Sequence, residues 1–225
     1  KMKIKNVNIA KSIQLNISHS SNKFVSKVSA KDVKKYLDII GIKNPNIICL
    51  AVRNSRELDL FRVHGLSSFL FNIISFFEVK RLGFKTILFS SLEKLGICSS
   101  NQKDYKKNGY CLGNEINPKM KRKDILNCDF NKLPNFLTNK FDICYFNSLD
   151  HSYDPKKTAK EIKRIVKLDG FIIINYPEGQ GVSNLDPTSD IEIKDIIKLF
   201  GNKVIYSKQF GSAWGYSEYI IKNSK

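Results

Sequence analysis

Residues 147–155 read NSLDHSYDP and directly follow the apolar run FDICYF (141–146). Within this stretch Asp150 and His151 place a carboxylate beside an imidazole. Histidine titrates near neutrality, so His151 is a candidate general base, with Asp150 orienting its ring or holding one end of a ligand. The competing reading is a histidine that only fills the loop and bonds to the backbone. Asp154 and Pro155 read as helix-start punctuation, an N-cap followed by proline at the first helical position. Two further acids, Glu115 and Asp129, sit at the ends of the apolar runs 110–116 and 124–130. One such carboxylate suits both hydroxyls of a ribose and the other an adenine amine, so the pair fits a nucleoside ligand.

Those residues act together only if the fold gathers them. IICLAV (47–52), YCLGNEI (110–116), FDICYF (141–146) and GFIIINY (170–176), with the weaker DILNCDF (124–130), are short apolar runs. Such runs are the pattern of strands buried on both faces. Amphipathic helices fit between them. Ser29 as N-cap, Asp32 in the first turn, and Val33, Tyr36, Leu37 and Ile40 at helical spacing predict a helix that stops at Gly41. RELDLFRVHG (56–65) reads as a short helix. Ala159, Ile162, Ile165 and Val166 form the stripe of the helix that Asp154 begins. Ser189 with Glu192 reads as a capping box ahead of Ile193, Ile196, Ile197 and Phe200. The first 28 residues show no clear period.

Strands alternating with helices predict an α/β fold, a Rossmann-like, doubly wound and mostly parallel sheet. KVIYSKQF (203–210), GSAWG and YSEYIIK (216–222) then read as strand, turn and strand, a C-terminal antiparallel hairpin. In such a sheet ligands bind beyond the carboxyl ends of the strands, where the strand order reverses. That rule selects RNSRE (53–57), Glu115, Asp129 and Phe130, the stretch from Asn147 to His151, and PEGQG (177–181).

The chain of 225 residues, with 42% hydrophobic and 26% charged content, is expected to form one domain over 1–225. Residues 1–45 make an N-terminal extension and helix, and 66–109 an insertion or cap between the first two core strands. Within it FLFNIISFFEVKRLG (69–83) reads as a buried helix, a cap over the site or an interfacial contact. No apolar run reaches the roughly 20 residues that span a bilayer. The start, KMKIK, leads into polar sequence without an apolar leader, so a cytoplasmic protein is expected. The five cysteines (49, 98, 111, 128, 144) show neither CxxC nor a Cys/His cluster, which predicts small buried hydrophobes and no metal. A net charge of +17 raises nucleic acid as a partner. Its lysines are scattered, however, and the densest run, KMKRK (119–123), has no interleaved aromatics to stack on bases, so a solvated face is favoured.

From Cys128 to Pro177 the order of short motifs resembles the second half of a class I S-adenosylmethionine-dependent methyltransferase, of the type grouped as methyltransferase 11 or 25. The matching residues are Asp129, Leu133-Pro134, Phe141-Asp142, Asp150-His151, Asp154-Pro155 and the Lys167–Gly170 turn. GNEINPK (113–119) is similar to the family's second strand and its ribose-binding acid, here Glu115. The resemblance implies S-adenosylmethionine as cofactor, with Ala51, Arg53, Asn54, Glu115, Asp129, Phe130, Asn147 and Ser148 around it. It also implies Asp150 and His151 on the catalytic side, and a small molecule or sugar intermediate as methyl acceptor. Tyr153, Tyr176 and Trp214 either shape the acceptor pocket or pack structurally. The departure lies in the first loop, where the family is glycine-rich and this chain reads LAVRNSR (50–56). Asn54 tolerates a left-handed turn, and Arg53 suits the cofactor's carboxylate. The alternatives are a methyltransferase-like scaffold without cofactor and, from the charge, an RNA methyltransferase. The absence of GxGxxG argues against a dinucleotide-dependent dehydrogenase.

Overall fold

A computed structural model describes residues 8–20, 28, 30–52, 56–62, 109–119, 122–177, 181–209 and 216–224. The apolar runs become β1 (Ile47–Leu50), β2 (Cys111–Glu115), β3 (Ile125–Asn127), β4 (Phe141–Phe146) and β5 (Val166–Pro177). β6 (Val204–Gln209) and β7 (Tyr216–Lys222) follow. All join one seven-stranded sheet in the order β3-β2-β1-β4-β5-β7-β6. The first five pair in parallel, and β7 runs antiparallel between β5 and β6. β1 and β4 are neighbours although β2 and β3 separate them in the chain. The strand order therefore reverses between β1 and β4, which opens a crevice at their carboxyl ends.

Among the described residues five α-helices accompany this sheet: α1 (Ile9–Ser20), α2 (Ala30–Ile40), α3 (Arg56–Arg62), α4 (Pro155–Ile165) and α5 (Ile193–Leu199). Side chains alternate across a strand, so one strand feeds two cores. Ile48, Leu50, Cys144, Phe146, Ile172 and Ile174 pack with Ala159, Ile162 and Ile165 of α4 and Ile196 of α5. Ile47, Cys49, Ile143, Tyr145 and Ile173 face the other way, toward Val33, Tyr36 and Ile40 of α2 and Leu58 and Phe61 of α3. Both faces being covered, the middles of these strands are apolar on both sides, and the runs read as nearly continuous. Burial of each such aliphatic side chain contributes roughly 2 kcal/mol. Cys49, Cys111 and Cys144 are buried in these cores.

Local signals set most element ends. Asp154 caps α4 by accepting from the Lys157 amide at 3.0 Å, and Pro155 takes the first position. Gly41 closes α2 in the left-handed conformation, its amide donating to the Leu37 carbonyl at 2.9 Å. Elsewhere the structure departs from the sequence reading. α1 forms in a stretch that shows no clear period, opened by the Asn8 side chain accepting from the Lys11 amide at 3.0 Å. β5 begins at Val166 rather than Gly170, because Val166 pairs with Phe141 across a register shift and Asp169 turns left-handed at φ 64°. The capping box also fails. Glu192 is the N-cap residue of α5 and makes no side-chain cap, while the Ser189 hydroxyl donates to the carbonyls of Gly181 and Asp186. Those bonds tie down the loop after β5. The expected insertion lies, up to residue 108, outside the described residues.

Candidate active site

A cleft opens at the carboxyl ends of β1 to β4, on the side the strand order selects. Ile13 and Asn16 of α1 line it together with Ala51, Glu115, Ile116, Asp129, Phe130, His151 and Tyr153. Five of these, Ala51, Glu115, Asp129, Phe130 and His151, are residues that the sequence singled out. Arg53, Asn54 and Trp214 lie outside the described residues. The contribution of α1 was missed in the sequence, although Ile9, Ile13 and Ile17 recur at the four-residue spacing of one helical face.

At the end of β1 the backbone of Ala51 turns left-handed, with φ 54°. Every other described non-glycine residue at positive φ is Asn or Asp, namely Asn44, Asn139, Asp169 and Asn202. Those types reach this region most easily, whereas alanine is strained there by roughly 1–2 kcal/mol. The turn expected of a glycine-rich loop is thus made by an alanine. The Val52 amide beyond it donates to the Asn114 carbonyl at 3.0 Å and draws the chain onto β2.

Glu115 ends β2 and is 2% exposed, with Oε1 accepting from the Asn117 amide at 3.1 Å. Asp129, past β3, accepts at Oδ1 from the Asn131 amide and side chain at 2.8 and 3.0 Å, and at Oδ2 from the Tyr153 hydroxyl. Burial and the Asp129 carboxylate hold the Tyr153 phenol well above the usual tyrosine range, so it stays a donor. Phe130 lies edge-on to Phe146, with ring centroids 5.0 Å apart. Burial pushes the neighbouring Cys128 thiol up to about 11, despite a bond from the Asn114 amide group to its sulfur. That thiol is protonated at neutral pH and is a poor nucleophile.

After β4 the chain makes a 3-10 turn, Leu149–His151, that buries Asp150 and His151 to 8% and 7% exposure. Ser148 donates to Asn147 Oδ1 at 3.1 Å, and neither residue is among those lining the cleft. The ring of His151 finds its partners far along the chain. Its Nδ1 lies 2.9 Å from the Leu185 carbonyl oxygen and 2.9 Å from Asp186 Oδ1. Both are acceptors, so Nδ1 carries a proton in this arrangement. The orienting carboxylate is therefore Asp186, in the loop after β5, whereas the sequence pointed to Asp150. Asp150 Oδ1 is buried and has no hydrogen-bond partner among the described residues. Tyr176 is fully buried, its hydroxyl donating to the carbonyls of Thr188 and Ile191, which makes it a brace for the same loop. Asp186 escaped the sequence reading because nothing local marks it. Its only signal is that it follows the fifth strand.

Comparison with known proteins gives three findings. Residues 95–174 match a family model described as a methyltransferase domain. No curated protein matches the sequence. Among solved structures, 1,6-didemethyltoxoflavin-N1-methyltransferase of Burkholderia thailandensis, with bound 1,6-didemethyltoxoflavin and S-adenosylhomocysteine, superposes with a TM-score of 0.56. Identity is 9%, over 100% of this chain and 93% of that one. The cyclase SpnF superposes with a TM-score of 0.53 at 8% identity, over 96% of this chain and 94% of its own. At such identities the likeness is one of fold.

Proposed function

We propose that this chain, whose residues 95–174 match a methyltransferase-domain model, uses S-adenosylmethionine to methylate an oxygen or nitrogen of a small molecule or sugar intermediate. One observation carries the reading: the crevice between β1 and β4 joins a nucleoside-type set of residues to a buried titratable corner. Bound S-adenosylmethionine supplies an electrophilic methyl on sulfur. The residues present fit it. Glu115, buried at the cleft wall, accepts from ribose hydroxyls. Phe130 and Ile116 offer apolar surface to an adenine, and Asp129, steadied by Tyr153 and Asn131, accepts from its amine. The left-handed turn at Ala51 would let the backbone approach the amino-acid end of the bound cofactor. The family resemblance implies Arg53 and Asn54 for that end as well, whereas Asn147 and Ser148 stand outside the cleft lining. The acceptor's proton leaves at the corner formed by Asp150 and His151. Orientation of the two reactants supplies most of the rate.

The shared fold of the cyclase SpnF shows that this architecture also hosts other reactions. The glycine-less first loop supports a second reading, a scaffold that has lost cofactor binding. Calorimetric titration with S-adenosylhomocysteine separates the two. The expected result is one site per chain, weakened at least tenfold by Glu115→Ala and less by Glu115→Gln. No heat of binding at millimolar ligand removes the methyltransferase reading.

A further inference from the structure

Asp150, His151 and Asp186 each place one ligand-type atom within 4.8 Å of the other two. Ligands opposite one another on a single ion of the Mg²⁺ or Zn²⁺ size class lie about 4.2 Å apart, and adjacent ones about 3 Å. His151 Nδ1 and Asp186 Oδ1 are 2.9 Å apart, the spacing of adjacent ligands. The Leu185 carbonyl oxygen, 2.9 Å from the same nitrogen, adds a further oxygen at that edge. Independently, Asp150 is 8% exposed and its Oδ1 is buried with no hydrogen-bond partner among the described residues. A buried carboxylate oxygen left unpaired is costly and calls for a cation.

We infer that Asp150, His151 and Asp186 form a binding site for one divalent cation at the edge of the cleft, where His151 lines its wall. Two carboxylates balance the charge of the ion, and oxygens with one imidazole suit Mn²⁺ or Mg²⁺ better than a soft metal. Six-coordination leaves positions for the acceptor. The cation site does not rest on the methyltransferase reading.

The test is Mn²⁺ titration of the full chain, followed by calorimetry and by loss of the free-ion electron paramagnetic resonance signal. One Mn²⁺ per chain is expected, weakened at least tenfold by Asp150→Asn and by Asp186→Asn. Absence of stoichiometric binding at millimolar Mn²⁺, or equal binding by wild type and both variants, overturns the site. Should Asp186→Asn disturb its loop, Asp150→Asn decides, because Asp150 Oδ1 supports no hydrogen bond of the described fold. S-adenosylhomocysteine titration in EDTA reads cofactor binding alone, so a failure of the cation site and a failure of the methyltransferase reading are distinguishable.

Discussion

Tyr153 donates its hydroxyl hydrogen to Oδ2 of Asp129, joining the loop after β4 to the loop after β3 across the wall of the cleft. The other Asp129 oxygen is already held by Asn131. An adenine amine that bonds to Asp129 therefore meets a carboxylate fixed in place from two sides. Tyr153→Phe removes one of these holds without changing the shape of the wall. S-adenosylhomocysteine is expected to bind about five- to tenfold more weakly, in line with loss of a hydrogen bond to a charged group. Unchanged affinity by calorimetry would remove Tyr153 from the cofactor site.

Ala51 pays for its left-handed turn with a crowded Cβ. Ala51→Gly relieves that crowding and gives back part of the gain as extra freedom of the unfolded chain. The net expectation is a stability increase of about 0.5–1 kcal/mol in urea unfolding, with cofactor affinity kept. Ala51→Val adds a β-branch in the same conformation and is expected to destabilise by more than 1 kcal/mol or so. A loss of stability in the glycine variant would contradict the turn described for this loop.

Gly170 answers to space rather than to backbone angle. A Cβ there would lie 2.8 Å from Val166 Cγ1, 2.9 Å from the Asp142 carbonyl oxygen and 3.0 Å from that of Lys167. Two of these are backbone atoms in paired strands and cannot move aside. Gly170→Ala is expected to lower stability by about 1–3 kcal/mol. Equilibrium unfolding by urea measures it, and a neutral result would show that β4 and β5 are further apart than described.

Glu161 links α4 to the loop after β3. It accepts from the Leu133 amide at 2.9 Å and from Arg164 at 2.7 Å, and Arg164 also donates to the Leu133 carbonyl. Burial alone would raise its carboxyl, but the Arg164 guanidinium and the Leu133 amide outweigh it, and the folded value lies below the ordinary one. The stabilisation is complete above the ordinary carboxylate range and is lost as pH falls through the lowered value. Glu161→Gln is therefore expected to be less stable than wild type at pH 7, with the gap closing below about pH 4. Urea midpoints of both proteins from pH 7 to pH 3 test it. A gap that is constant with pH would mean that charge on Glu161 contributes nothing.

Much of this architecture was legible because its signals are local. The apolar runs of β1, β2, β4 and β5, the Asp154 cap and the stripe of α4 depend on near neighbours in the chain, and the structure keeps each of them. Glu115, Asp129 and His151 were legible for a related reason. Each follows a strand, and parallel strands deliver their carboxyl ends to one edge of the sheet. Ser189 misled because a cap signal competes with whatever else the hydroxyl can reach, and here the folded loop offered two carbonyls.

The amino-acid sequence by itself determined the doubly wound class, the edge of the sheet that carries the cleft, and three acids and a histidine placed along it. Periodicity and loop position are enough for that, since they need no knowledge of distant residues. Only the tertiary structure decided that α1 walls the cleft, that Ala51 makes the left-handed turn, and that His151 meets Asp186 rather than its neighbour Asp150. The reason is geometric. Consecutive side chains in a tight turn diverge, so the partner of His151 is chosen by where the loop after β5 comes back, 35 residues later in the chain.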